Sequence, residues 1–370
     1  MGSTITIRDR LRNLVGGKPE PEPAPPRPAV PAPPPGFDRF RTSSAVVPAA
    51  PRPQTPVADI DFMSFVPKSF SSEPEAPVDE AELAKLEAPL LAAVRTVLDE
   101  AAPSFPWFAN EVLEAAEKPD VEIAEMTKLV SRDPLIAAQV LKVANSAQYS
   151  RGTKVADLRD AINRVGLREV AGIAAIASAQ ALMSPSLRWV VGEYPGVWRR
   201  VWTHAIATSI ATAGWLASNL GGVRAPSAFL GGLLHDVGKM VALQGFGAAL
   251  KSRRVPRLTG RQLSVLIEKT HLEIGVRVAK VSGFPESVLQ MCRDHHAAPG
   301  EDAAQHRELN TLVVVAVMEE VLAGMPPDAA WIAAAVARAR LLRIDSRLAG
   351  GLATVVREAR EKAETILAAA

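Results

Sequence analysis

Cysteine is nearly absent: Cys292 is the only one in 370 residues. That excludes an intramolecular disulfide framework and fits a reducing, cytoplasmic setting. Aromatic residues make up only 5% of the chain, and β-branched runs are scarce. Neither an alternating strand pattern nor a set of hairpin turns can be traced. Charge of one sign is missing too. The formal net charge is +2, so no global field points to nucleic acid or to a membrane surface. The start, Met1-Gly2-Ser3-Thr4-Ile5-Thr6-Ile7-Arg8, lacks the apolar core of a secretory signal. Two stretches carry almost no charge, 170–187 and 205–223. Both are rich in Ala, Ser, Thr and Gly and read as buried helices of a water-soluble body rather than membrane spans. Histidine is absent before residue 204.

What is present is alanine, leucine and helical periodicity, which predict an all-α fold. Seventeen of the 30 prolines precede residue 80. Such a segment has too little apolar surface to offset its ordering entropy, so residues 1–80 are expected to be a disordered Pro/Ala-rich tail. Ile7, Leu11, Leu14 and Val15 share one helical face within it, which suits either a short docking helix or a frayed end. Asp59-Ile60-Asp61-Phe62-Met63-Ser64-Phe65-Val66 is either a peptide that folds onto a partner or a sticky spot in a linker. Residues 81–370 form the predicted helical domain. A helix is expected over Glu80–Ala101, with a break allowed at Pro89. Another begins at Asp133-Pro134, with Asp as cap and Pro at the first position. Later helices follow up to three closing ones between Asn310 and Ala368.

Five of the six histidines, His204, His235, His271, His295 and His296, fall within 93 residues. Neutral imidazoles and carboxylates are ligands for Fe, Mn or Zn. Converged on one pocket with Asp236, they would hold a divalent metal. Asp236 follows His235 directly, so both reach one ion only near a helix end, where Gly238 is expected to let the chain turn. Lys239 then stands where it can meet a phosphate. Such a site in a metal phosphohydrolase polarises phosphate and generates hydroxide. The plainer alternative is a cluster that bonds internally and organises the core.

The motifs resemble the HDOD branch of the HD superfamily, over roughly Ala88–Val321. The resemblance rests on Pro103-Ser104-Phe105-Pro106, Asp133-Pro134-Leu135 with Leu141-Lys142-Val143-Ala144-Asn145-Ser146, and Ala161-Ile162-Asn163-Arg164-Val165-Gly166. It continues through Trp202-Thr203-His204, then Phe229 to Lys239, which resembles "F-x-x-G-L-L-H-D-I-G-K". Glu268, His271, Gly275, Phe284-Pro285 and His295-His296 complete it in order. The resemblance implies a bacterial signalling module that acts through partner proteins, recruited by the helical domain and the Pro-rich tail, with a nucleotide or cyclic dinucleotide as a further ligand. Its alternative is the chemistry of the related HD-GYP phosphodiesterases. The chain departs from those enzymes three times. Pro299-Gly300-Glu301-Asp302 stands in place of Gly-Tyr-Pro, Arg200 in place of a Glu four residues before the first His, and Val317 or Met318 in place of a late metal-binding Asp. Glu319 and Glu320 lie one to three residues further on, a rotation of 100–200° that is expected to turn them away. No catalytic residue beyond the candidate Lys239 is expected.

Other features carry less. Lys251, Arg253, Arg254, Arg257 and Arg261 lack interleaved aromatics and read as a solvated surface rather than a nucleic-acid site. Arg338, Arg340, Arg343 and Arg347 are expected on a solvated helical face, Cys292 in the core, and Trp198 with Trp202 in helix packing.

Overall fold

The computed structural model describes residues 59–67, 78–101, 107–118, 120–150, 152–181, 187–219, 226–325 and 327–369. The helix expected in the first fifteen residues, the Pro-rich run and Pro103–Pro106 lie outside them. Among the described residues there is no strand, and the chain runs through fifteen α-helices and two short 3-10 turns. The all-α expectation holds. Among the same residues, no helix is long and apolar enough to cross a membrane.

The amino-terminal half is a layer of amphipathic helices. Helix α1 (Glu80–Ala101) starts on Asp79, whose carboxylate accepts from the amides of Ala81 and Glu82. It has the expected bounds and runs through Pro89 without using the break allowed there. Proline removes one backbone bond, but Leu90, Ala93 and Val94 beside it are fully buried and hold the helix in line. Helices α2 (Trp107–Glu117), α3 (Ile123–Val130), α4 (Pro134–Ala144), α5 (Leu158–Val165) and α6 (Leu167–Ala181) follow. Asp133 caps α4 by accepting from the amides of Leu135 and Ile136, with Pro134 at the first position. Such a cap contributes ~1 kcal/mol.

The second half is wrapped around buried helices. After α7 (Leu187–Glu193) comes α8 (Pro195–Asn219), whose Ala, Ser and Thr residues are buried on nearly every side. Helix α9 (Pro226–Leu234) ends at His235-Asp236, and α10 (Val237–Lys251) restarts immediately. Helix α10 is buried between α1 and α11 (Gly260–Val281). Helices α12 (Glu286–Asp294), α13 (Arg307–Leu322), α14 (Ala329–Leu341) and α15 (Ser346–Ala369) close the body. Helix α13 is buried along most of its length, and α15 lies against α8.

The Asp59–Val66 segment packs on this body rather than standing free. Asp61 caps a 3-10 turn over Phe62–Phe65, Ile60 and Phe62 are buried, and the turn rests on α13. Lys251, Arg253, Arg254, Arg257 and Arg261 are exposed as expected, and Arg257 pairs with Glu193 at 2.9 Å. Trp202 is buried, with its ring 6.2 Å from that of Trp198. The solvated arginine face needs correcting. Arg340, Arg343 and Arg347 are exposed, but Arg338 is buried. Its guanidinium bonds Asn310 Oδ1 at 2.7 Å and the carbonyls of Ala297 at 2.9 Å and Asp294 at 3.4 Å. Periodicity alone does not reveal this, because the partners are loop carbonyls distant in sequence.

Candidate metal centre

Close helix approach is what gathers the histidines. A Cβ on Gly232 would lie 2.6 Å from Ser209 Cα, so only glycine lets α9 meet α8 there. A Cβ on Gly238 would lie 1.9 Å from the His271 carbonyl oxygen. Gly238 therefore serves the contact of α10 with α11, not the turn expected of it. The turn itself is His235-Asp236, between two helices. His204 comes from α8, His271 from α11, and His295-His296 from the end of α12.

Three of these imidazoles are oriented by carbonyls of their own helices. His235 Nδ1 bonds Gly232 O at 2.8 Å, His271 Nδ1 bonds Glu268 O at 2.7 Å, and His295 Nδ1 bonds Met291 O at 2.9 Å. A carbonyl only accepts, so each Nδ1 carries the proton and each Nε2 turns a lone pair inward. These lone pairs converge. His271 Nε2 and His295 Nε2 are 3.3 Å apart, and His235 Nε2 lies 3.3 Å from His204 Nε2. His204 differs from the rest: its Nδ1 lies 2.6 Å from Glu319 Oε2.

Asp236 stands at the centre. Its Oδ2 is 3.5 Å from His235 Nε2 and 3.6 Å from His204 Nε2; its Oδ1 is 3.3 Å from His295 Nε2 and 3.5 Å from His271 Nε2. His295 Nε2 has no proton to give, so Oδ1 is buried with no hydrogen-bond partner. A buried carboxylate oxygen facing two imidazole lone pairs is unfavourable unless a cation lies among them. The donor set thus fits a divalent metal. Two triads share this space, His204–His235–Asp236 and His271–His295–His296, each with donor atoms within 4.8 Å of one another.

Protonation favours the same use. Burial pushes His235 and His296 down to about 4 and lowers His271 and His295 as well, so these rings are neutral at neutral pH. Burial works against ionised Asp236, but the Lys239 ammonium beside it outweighs this and holds its carboxyl well below the usual range. His204 is the exception: burial opposes its charge, yet the Glu319 carboxylate outweighs it and pushes the ring up to about 9, so at neutral pH it holds a proton that a bound metal would have to displace.

Lys239 Nζ lies 2.9 Å from Asp236 Oδ2 and 2.8 Å from Glu268 Oε2. It lines a cleft of about 420 Å³ with His204, Asp236, Arg199, Arg200 and Arg360. Glu319 lines the cleft as well. Contrary to the expected rotation away, its flexible stem lets one carboxylate oxygen reach back to His204 Nδ1, and Arg360 from α15 donates to the other. His296 sits apart from the tightest group, stacked on Trp331 with ring centres 4.2 Å apart. Trp331 Nε1 donates to the His295 carbonyl at 3.0 Å. Arg360 and Trp331 escaped sequence reading. Each is a single residue on a closing helix with no motif around it.

The HDOD domain family matches residues 102–298, just over half of the chain, and the protein belongs to that family. A protein of Treponema pallidum (strain Nichols), itself uncharacterised, is 25% identical over 204 residues. The match takes in 53% of this chain but 38% of the relative, so this chain spans well under half of that protein's length. The solved structure of a protein assigned to signal transduction, from Marinobacter aquaeolei VT8, shares the fold with a TM-score of 0.50 and 23% identity, over 79% of this chain and 66% of that one. An HDOD domain protein of unknown function from Geobacter sulfurreducens gives 0.48 at 20% identity, over 76% of this chain and 99% of that one. Glu319, Trp331, Arg338 and Arg360 all lie beyond the family match.

Proposed function

We propose that the protein is a regulatory HDOD module of a signalling pathway, which binds partner proteins through its helical body and holds a divalent metal as an organising centre rather than for turnover. His204, His235, Asp236, His271 and His295 would hold the metal, with His296 beside them. One observation carries the reading. Lys239 is paired with both of the carboxylates nearest the cluster, Asp236 and Glu268, while Glu319 is occupied by His204 and Arg360. A hydrolytic metal centre needs carboxylate charge to hold its ions and an open position for water. Here the ligands are mostly neutral imidazoles, and the cleft side carries a fixed ammonium. When bound, a metal supplies positive charge that satisfies Asp236 Oδ1 and the facing lone pairs. That would rigidify the junction of α8, α9, α11 and α12.

A second reading, a phosphohydrolase acting on a nucleotide or cyclic dinucleotide, is favoured by the cleft, where Arg199, Arg200 and Lys239 meet the cluster. One experiment separates the two. Protein purified from cultures supplemented with Fe, Mn and Zn is measured for bound metal, then assayed against cyclic dinucleotides and a generic phosphodiester. Metal bound by the wild type and lost in Asp236→Ala, without turnover, is the expected result. Turnover that disappears in His235→Ala and Asp236→Ala would establish the enzyme instead.

A further inference from the structure

The segment Asp59–Val66 belongs to the stretch expected to be tail, yet it is seated on α13 and α14, two of the closing helices around the cluster. Ile60 and Phe62 are 4% and 1% exposed, and the turn they belong to packs on α13, the helix that carries Glu319. Asp59 grips Arg340 of α14 through both carboxylate oxygens. Phe65 and Pro67 line a second cleft of about 340 Å³ together with Leu322 and Arg360. Arg360 is common to both clefts, and it binds Glu319, which binds His204. Phe65 thus faces Arg360 across this cleft, and Arg360 is bonded to Glu319, which is bonded to His204.

We propose that Asp59–Val66 is a built-in ligand of the helical body, and that its docking positions His204 through Arg360 and Glu319. The segment is suited to leave as well as to bind. Its capped turn is local, held by Asp61 accepting from the Met63 amide. Its ion pair with Arg340 is exposed and so contributes little. Its apolar hold is short: two buried side chains, Ile60 and Phe62, with Phe65 and Val66 half-buried beside them. The flanking sequence, with Pro51, Pro53 and Pro56 before it and Pro74 and Pro77 after it, offers little else to bury. A competing peptide would need the same chemistry, two large apolar side chains alternating with acids, as in Asp59-Ile60-Asp61-Phe62. Arg360 is a positioning residue in this scheme. When the segment leaves, Arg360 loses one wall of its site, and Glu319 is no longer fixed against His204.

The consequence for metal rests on the proposed metal centre; the docking and its effect on His204 do not. The test uses the full-length chain labelled with 15N-histidine. His204 is assigned by its loss in His204→Gln. Phe62→Ala should render residues 59–67 sensitive to protease, raise amide exchange in α13 and α15 roughly ten-fold, and shift both His204 nitrogen resonances. Arg360→Gln should shift His204 alike while the segment stays protected, and Arg360→Lys should restore the wild-type shift. If Phe62→Ala does not fold, Ile60→Ala carries the same test. Release of the segment with unchanged His204 resonances would overturn the proposal. So would a segment already protease-sensitive in the wild type. Co(II) titration is the separate arm: weaker binding in Phe62→Ala extends the coupling to the metal. A wild type that binds no Co(II) ends the metal reading and leaves the coupling to be decided on His204.

Discussion

Glu319 Oε2 and His204 Nδ1 lie 2.6 Å apart, whereas the outer nitrogens of His235, His271 and His295 are hydrogen-bonded to backbone carbonyls. A carboxylate behind an imidazole fixes its orientation and raises its basicity, and so strengthens it as a ligand. Glu319→Gln keeps the shape but removes the charge. Metal affinity, read by competition with a chromophoric chelator, should fall ~10–100-fold, the usual range for such outer partners. An unchanged affinity with an intact fold would exclude His204 from the ligand set.

Arg338 gives a second prediction, on stability. Its guanidinium closes the loop that follows the His295-His296 pair by bonding the carbonyls of Asp294 and Ala297, and it bonds Asn310 as well. Arg338→Ala leaves Asn310 Oδ1 buried without this donor and frees the two partly buried carbonyls. The expected loss is about 2–4 kcal/mol in urea unfolding. Arg343→Ala, on the exposed side, should change stability by less than about 0.5 kcal/mol. Equal effects would mean that the Arg338 bonds contribute nothing net.

Much of this was legible before the structure. The helical class follows from alanine, leucine and periodicity, and the Asp133-Pro134 start from local capping chemistry, which neighbouring residues decide alone. The histidines could be gathered because their clustering in sequence reflects consecutive helices. What stayed hidden depends on distant partners. Pro89 lies within an unbroken helix because tertiary burial of Leu90 and Val94 overrides a local rule. Arg338 reads as a surface charge until the carbonyls of the 294–297 loop are placed beside it. Glu319 was judged from Cα rotation, which ignores two flexible side-chain bonds. The role of Arg360 depends on α15 returning to α13, and no short motif encodes that.

Cys292 gives a prediction on reactivity. Its Sγ donates to the Leu234 carbonyl at 3.3 Å, and burial, reinforced by the Asp236 charge, pushes the thiol well above its ordinary pKa. A raised thiol pKa means the neutral, unreactive form at pH 8. A disulfide-exchange reagent at pH 8 should therefore leave the native protein unmodified for hours and titrate one thiol at once in denaturant. Rapid reaction in the native state would show that the core around α9 and α12 opens.

Two glycines separate close packing from mere helix weakness. Gly238 and Gly350 both lie within helices, where glycine costs about 0.5–1 kcal/mol relative to alanine. At Gly350 a Cβ meets nothing within 4 Å, so Gly350→Ala should stabilise by about that amount. At Gly238 the same Cβ would lie 1.9 Å from the His271 carbonyl oxygen and 2.7 Å from the Gly275 amide nitrogen. Both are backbone atoms that cannot swing aside, so α10 and α11 must separate. Gly238→Ala should then cost about 1–3 kcal/mol. It should also weaken metal binding, because moving α11 moves His271 away from His295. Urea melts of the two variants, with metal titrations alongside, read both effects. A Gly238→Ala protein as stable as the wild type would mean that the α10–α11 contact is looser than its backbone distances require.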